Sequence, residues 1–331
     1  CTEEIGTYVT DDGRVVEPVT VDDEQYMSMV AMYRGTPVDD LQSECLYVPF
    51  VGRFAIPFVA AQLPFDEAVS LALVNLTMMM VALWAMLAAL RSQGVTPRVF
   101  VVVGFLFAVG WNTLMVSAEV LTDPGVLAVV SVGWWLVVRR RLWWALALLA
   151  VSIPVRETVL ILAPVVLAAG WFQYRDGTDD SGRTSGVRFT SLAAACVVVP
   201  VLSLSAWSRV GPEADASWDS APSVTALLFN LGTLSFLTVV VAGAPLFVPA
   251  LLQLRNEIRR AGWFETVTRP ASVGLLGVCA LCLWVFVSAD LSPRFLWVGF
   301  PFAASMTADW LGEGHLGALL DRVRPERLVG A

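Results

Sequence analysis

The stretch from Leu142 to Phe172, LWWALALLAVSIPVRETVLILAPVVLAAGWF, decides how this chain folds. As one straight helix it would be about 46 Å long at 1.5 Å per residue, far more than the ~30 Å of hydrocarbon in a bilayer. Pro154 lacks a backbone N–H and breaks a helix from within, and Arg156 and Glu157 interrupt an otherwise apolar run. Two short helices meeting at Pro154-Val155-Arg156-Glu157 resolve the length. They also resolve the charge: one span would put the arginines at 139–141 and those from Arg175 to Arg188 on opposite faces, whereas two keep both clusters on one face.

Apolar runs of crossing length recur on both sides of this stretch. They extend from Ala68 to Leu90, Val99 to Leu121, Phe189 to Trp207, Ser223 to Leu254 and Ala271 to Ala289, with shorter ones from Gly125 to Val138 and Phe295 to Leu311. With 57% of residues hydrophobic and 15% charged, the bilayer must be the solvent. Backbone at that depth has to satisfy its own hydrogen bonds, so the expected fold is all-α, a polytopic bundle of about nine membrane segments, some short or broken. Residues 1–66 are read as an acidic extracytoplasmic region with interfacial helices, 67–311 as the transmembrane domain and 312–331 as a cytoplasmic tail.

Orientation follows from the arginines, which make up all 21 basic side chains. Alternate loops hold fifteen of them, at positions 91, 98, 139–141, 175, 183, 188, 255, 259, 260, 269, 322, 324 and 327, and this set is assigned to the cytoplasm. The other loops hold six arginines and most of the acids, twelve of them between Cys1 and Asp66. The plasma membrane is the expected location, N-terminal region outside and C-terminus inside, with one further helix expected before Cys1. Cys196, Cys279 and Cys282 read as small packing residues, and a Cys1–Cys45 disulfide is open if the N-terminal region is extracytoplasmic.

Polar residues where burial makes them costly are the candidates for chemistry. Val21-Asp22-Asp23-Glu24-Gln25-Tyr26 precedes the helix-like Met27–Tyr33, and Asp22 or Asp23 serves as its N-cap or carries a function. Tyr47 to Pro57 is an apolar stretch with one arginine, Arg53, and reads as an interfacial anchor with a snorkelling side chain. Asn112, Glu119 and Asp123 fall on one helix face. Arg156 and Glu157 read as a polar cavity or a mutual ion pair. Asp290 and Arg294 flank the last outer turn.

Several function classes drop out. The single histidine, His315, rules out a histidine-based triad, haem site or histidine-rich metal site; no phosphate-binding loop or dinucleotide fingerprint occurs. A net charge of −8 without a basic patch argues against nucleic acid as a partner.

Taken together, Asp22-Asp23-Glu24-Gln25-Tyr26, Arg53-Phe54-Ala55-Ile56-Pro57, Thr122-Asp123-Pro124, Pro154-Val155-Arg156-Glu157-Thr158 and Arg294 before Phe300-Pro301 make this chain resemble the GT-C class of polytopic glycosyltransferases. That class includes the dolichyl-phosphate-mannose-dependent mannosyltransferases and their bacterial and archaeal relatives. The resemblance implies inverting transfer of a sugar, a hexose such as mannose, from a polyprenyl-phosphate carrier to an extracytoplasmic glycan, lipid or protein. Asp22 or Asp23 would be the base. Arg53, Arg156 and Arg294 would bind the lipid phosphate, Glu157 would orient Arg156, and Asp123, Gln25 and Tyr26 would line the substrate site. No metal site is assigned and no cofactor is certain, though Asp123 leaves a divalent cation open. Membrane lipids are expected partners. The alternative reading is a secondary transporter or flippase for an anionic or lipid-linked substrate.

Overall fold

The computed structural model describes residues 8–9, 15–16, 21–37, 47–48, 50–110, 122–175, 182–211, 216–217, 224–232, 235–288 and 293–315. Asn112, Glu119, Asp290, Cys1 and Cys45 lie outside them, so the expected polar helix face and the disulfide do too. Nearly all of the described chain is helical. Its α-helices are α1 (Val21–Tyr33), α2 (Ala55–Ala61), α3 (Glu67–Ser92), α4 (Pro97–Ala108), α5 (Asp123–Val138), α6 (Leu142–Ser152) and α7 (Leu162–Arg175). They continue as α8 (Gly182–Trp207), α9 (Val224–Gly232), α10 (Ser235–Ala261), α11 (Trp263–Val267), α12 (Pro270–Ser288) and α13 (Phe300–Trp310). Short 3-10 helices occupy Phe50–Arg53, Glu157–Ile161 and Pro293–Gly299.

Five helical stretches are long and apolar enough to cross a membrane: Glu67–Ser92, Glu157–Arg175, Gly186–Trp207, Leu237–Ala261 and Pro270–Ser288. Shorter apolar helices cover Pro97–Ala108, Asp123–Val138 and Leu142–Ser152. The chain is thus an integral membrane protein by the length and composition of its helices. The break at Pro154 is present, with α6 ending at Ser152 and helix resuming at Glu157. The run from Ser223 to Leu254, expected as one segment, is divided between α9 and α10.

Large apolar side chains such as Val101, Phe105, Leu202, Val241 and Leu283 point out of the bundle, as a lipid-facing surface requires. Lipid is as apolar as leucine, so the helices associate through close packing and polar cross-links. α3 runs along α5, α10 along α13, and α7 along α8. A Cβ on Gly274 of α12 would lie 2.5 Å from the Phe302 ring of α13, so only glycine permits that approach. Buried hydrogen bonds supply the links: Trp134 Nε1 donates to Ser305 Oγ at 2.7 Å, Thr307 Oγ1 to the Leu246 carbonyl at 2.7 Å, and Trp207 Nε1 to the Ala150 carbonyl at 2.8 Å.

Among the described residues, two groups of charged side chains gather in separate places. One end brings together Arg53, Asp123 and Arg156–Glu157. Near it a two-residue parallel ladder joins Tyr47–Val48 to Ala216–Ser217. The opposite end gathers the arginine-rich loops: Arg175 pairs with Glu265, Arg260 with Glu313 at 2.7 Å, and Arg269 with Glu257 at 2.9 Å.

Three helices end in the same six-to-one turn with a left-handed residue just past the last turn. In α1 that residue is Gly35, with Thr36 N–H donating to the Ala31 carbonyl; in α3 it is Gly94, with Val95 N–H donating to the Leu90 carbonyl. In α5 it is Arg140, at φ 58°, with Arg141 N–H donating to the Leu136 carbonyl at 2.8 Å. Arg140 is the one non-glycine residue with positive φ among those described. A side chain in that conformation costs on the order of 1 kcal/mol. Arg140→Gly is therefore expected to raise the thermal unfolding temperature of the protein in detergent; an unchanged or lower temperature would mean that the arginine side chain stabilises the turn by as much as its backbone costs.

Candidate functional site

The site is assembled at the end that holds the Pro154 break, and its first fixture is α1. The sequence places Asp22 and Asp23 before a helix, but the helix begins at Val21 and takes in both, so they occupy its first turn. Their side chains, like that of Arg294 in the 3-10 helix Pro293–Gly299, lie outside what the structure describes. Further along α1, Gln25, Tyr26, Met29 and Val30 are buried, and the helix packs on α2, α3 and the 3-10 helix Phe50–Arg53.

Arg34, just past the end of α1, holds this arrangement. Its guanidinium donates to Glu67 Oε1 at 3.1 Å, to Ser70 Oγ at 3.0 Å and to the Leu63 carbonyl at 2.8 Å. It thereby satisfies backbone acceptors that the end of α2 leaves open and ties α1 to the start of α3. That start is itself capped, with Val69 N–H donating to Asp66 Oδ1 at 2.8 Å. Sequence reading passed over Arg34. An arginine one residue before Gly35 at a helix end was the available signal.

The second fixture is the segment from Phe50 to Pro57. Read as an interfacial anchor, it would let Arg53 snorkel into water; instead Arg53 is buried, 7% exposed, and forks onto Glu157. Its Nε donates to Oε2 at 3.0 Å and its terminal nitrogen to Oε1 at 2.6 Å. Burial pushes the guanidinium toward neutrality, but Tyr26 and Glu157 together outweigh this and hold its pKa above the ordinary value. One backbone bond fastens the same segment to the break, Ala55 N–H to the Pro154 carbonyl at 3.1 Å. Phe54 meets Trp207 edge-on, with ring centroids 6.1 Å apart.

The third fixture is the start of α5. Arg156 was expected to pair with its neighbour Glu157, but its salt bridge is to Asp123, and both of these residues are 5% exposed. The reason is local geometry. Arg156 is in extended backbone, φ −176° and ψ 143°, while Glu157 opens a 3-10 helix, so adjacent side chains leave in different directions. The Arg156 guanidinium also lies over the Phe295 ring, 5.6 Å from its centroid. Thr122 Oγ1 donates to the Tyr26 hydroxyl at 3.2 Å, closing the ring of contacts back to α1. Close seating depends on Gly125, where a Cβ would come within 2.8 Å of Val155 and 2.9 Å of Ile56.

Sequence-selected residues Tyr26, Arg53, Asp123, Arg156 and Glu157 thus converge, with Gln25 on the same helix as Tyr26. The inner pair leaves Asp123 Oδ2 and Arg156 Nε buried with no hydrogen bond to a described residue, and Thr158 Oγ1, two residues on, and Trp297 Nε1 of the 3-10 helix Pro293–Gly299 are in the same condition. The donors Arg156 Nε and Trp297 Nε1 suit an anionic oxygen. A divalent cation fits poorly, because Asp123 is already neutralised by Arg156 and no group of three or more His, Cys, Asp or Glu side chains among the described residues could hold a metal. Compared with known proteins, the chain matches no family model, no curated protein and no solved structure.

Two outcomes are expected. Asp123→Asn leaves the Arg156 charge buried without its counterion and lowers stability by about 3–5 kcal/mol, and adding Arg156→Met restores more than half of that loss in denaturant titrations. A double variant no more stable than the single one would mean the pair does not act as a unit. Arg34→Ala costs about 1.5–3 kcal/mol and increases protease cleavage within α1 before the rest of the chain unfolds; equal rates of cleavage in wild type and variant would remove Arg34 as the tether.

Proposed function

We propose that this chain is a membrane glycosyltransferase of the GT-C kind, moving a sugar from a polyprenyl-phosphate carrier to an acceptor on the extracytoplasmic side of the plasma membrane. The observation that carries the reading is the meeting of Arg53 and Arg156, far apart in sequence, in a partly unsatisfied polar cluster at the foot of the helix that bears Asp22 and Asp23. About nine segments, the N-terminal region outside and the arginine-rich end in the cytoplasm are part of the proposal, supported by the gathering of charged side chains in two separate places.

In this mechanism the carboxylate of Asp22 or Asp23 takes the proton of the acceptor hydroxyl. The freed oxygen attacks the anomeric carbon from the face opposite the carrier, so the configuration inverts. The bond from that carbon to the carrier oxygen breaks, and its electron pair stays on the phosphate. Charge growing there calls for guanidinium forks at the membrane surface, where Arg53, Arg156 and Arg294 stand in sequence, and Glu157 and Asp123 hold two of them in place. Tyr26 and Gln25 line the route from the acceptor side. The acceptor is a glycan, lipid or protein.

The second reading, a transporter or flippase for an anionic or lipid-linked substrate, is favoured by one feature: a polar cleft opens at the opposite end of the same bundle, with Trp134 of α5 in its lining. Transfer assays separate the two. With a radiolabelled polyprenyl-phosphate sugar and membranes holding equal amounts of protein, one of Asp22→Asn and Asp23→Asn is expected to lose about 10²–10⁴-fold in transfer rate. Undiminished transfer in the double variant would remove the loop base. Uptake that survives the double variant but fails in Arg156→Gln would favour transport.

A further inference from the structure

At the arginine-rich end, a cleft of about 520 Å³ opens among α5, α7, α12 and α13, within the size range of small-ligand sites. Its apolar surface is made by side chains such as Trp134, Val137, Phe172 and Met306. The charged side chains in its lining are three arginines and three carboxylates: Arg140, Arg175, Arg269, Glu257, Glu265 and Asp309. Arg175 is taken by Glu265, and Arg269 by Glu257. Two charges remain. Arg140 and Asp309 have no ion pair with one another or with any described residue, although they border one cleft on neighbouring helices that pack together. Asp309 is solvent-exposed in the lining, with Glu257 and Glu265 as the other carboxylates of the cleft. The Ser272 hydroxyl in the lining is buried and makes no hydrogen bond within the protein.

Arg140 adds a second, independent observation. It occupies the left-handed position that glycine fills at the ends of α1 and α3, so the chain keeps a guanidinium here against the preference of the backbone. Strain of this kind persists where a side chain is needed, and this side chain faces the cleft. Both groups are solvent-exposed, so a ligand with charge of one sign would engage one of them and leave the other to water or face it as a like charge.

We propose that this cleft binds a zwitterion that carries a phosphate and a primary ammonium, the phosphate on Arg140 and the ammonium on Asp309. Phosphoethanolamine has this chemistry, either as a free molecule or as the headgroup of phosphatidylethanolamine. The site is separate from the ion pairs at the other end and does not depend on the transferase reading.

Binding is tested on the purified full chain in detergent. Free phosphoethanolamine and inorganic phosphate are titrated calorimetrically, and retained phosphatidylethanolamine and phosphatidylglycerol are counted by native mass spectrometry. The expected result is one-to-one binding of phosphoethanolamine, of phosphatidylethanolamine, or of both, at least tenfold tighter than the probes that lack an ammonium group. Binding of the free molecule names a soluble source, and binding of the lipid alone names the headgroup. Arg140→Gly and Asp309→Asn should each weaken it at least tenfold, with thermal unfolding showing that both variants are folded. Equal binding of inorganic phosphate or phosphatidylglycerol, unchanged affinity in both variants, or no binding of either zwitterion would overturn the proposal.

Discussion

The break at Pro154 puts a positive and a negative side chain side by side inside an apolar bundle, and much of the architecture depends on how those two charges are neutralised. A lone buried ion costs several kcal/mol even after relaxation, so buried Arg156 cannot stay without a partner, and half-exposed Glu157 is free to serve another buried cation. They do not neutralise each other. Arg156 reaches back to Asp123 at the start of α5, and Glu157 accepts the fork of Arg53 from the loop before α2. Two charges on one short segment therefore fasten two other parts of the chain to it. Had they paired with each other, Asp123 and Arg53 would each be buried ions in turn, and the segment before α2 would lose its electrostatic tie to the break.

The same break settles which loops share an end. Because the chain turns at Pro154, α6 and α7 lie against each other and the loops beyond them return to one side. Arg175, Arg260 and Arg269 then find Glu265, Glu313 and Glu257, partners 90, 53 and 12 residues away in sequence. Most of these side chains are substantially exposed, so the pairs add little stability. Their value is in register: they reward the helix ends for meeting at one level. At the other end the Asp123–Arg156 pair is buried on both sides and Arg53 is buried against a half-exposed Glu157, so their geometry is more tightly fixed.

Length and charge parity were legible in the sequence because they are summed properties that no single contact can reverse. The division at Pro154 and the start of α3 beside Asp66 follow from them. Partner choice was not legible. Adjacency suggested Arg156 with Glu157, but a change from extended to 3-10 backbone between two neighbours sends their side chains apart, and composition does not register that change. The single arginine of an apolar stretch looked like a snorkelling anchor because its partner lies 104 residues away. Arg34 was invisible for another reason: its main acceptors are backbone carbonyls, which every sequence has and none displays. Arg140 was hidden within Arg139-Arg140-Arg141, a run that reads as a topology signal; only its backbone conformation distinguishes it from its neighbours.

Buried pairing also constrains what the Arg53 and Arg156 end can do. A guanidinium already held by a carboxylate cannot swing to follow a ligand, but it can present its remaining N–H groups from a fixed position. That suits a reaction in which negative charge appears on an oxygen at a defined place and time, since donors set in advance need not reorganise as the charge grows. It suits an alternating-access carrier less well, because each transit would have to break and remake a buried pair whose separation costs several kcal/mol. Arg156 Nε, buried and without an acceptor among the described residues, is a donor held on such a fixed frame. The balance between the two readings rests on this rigidity.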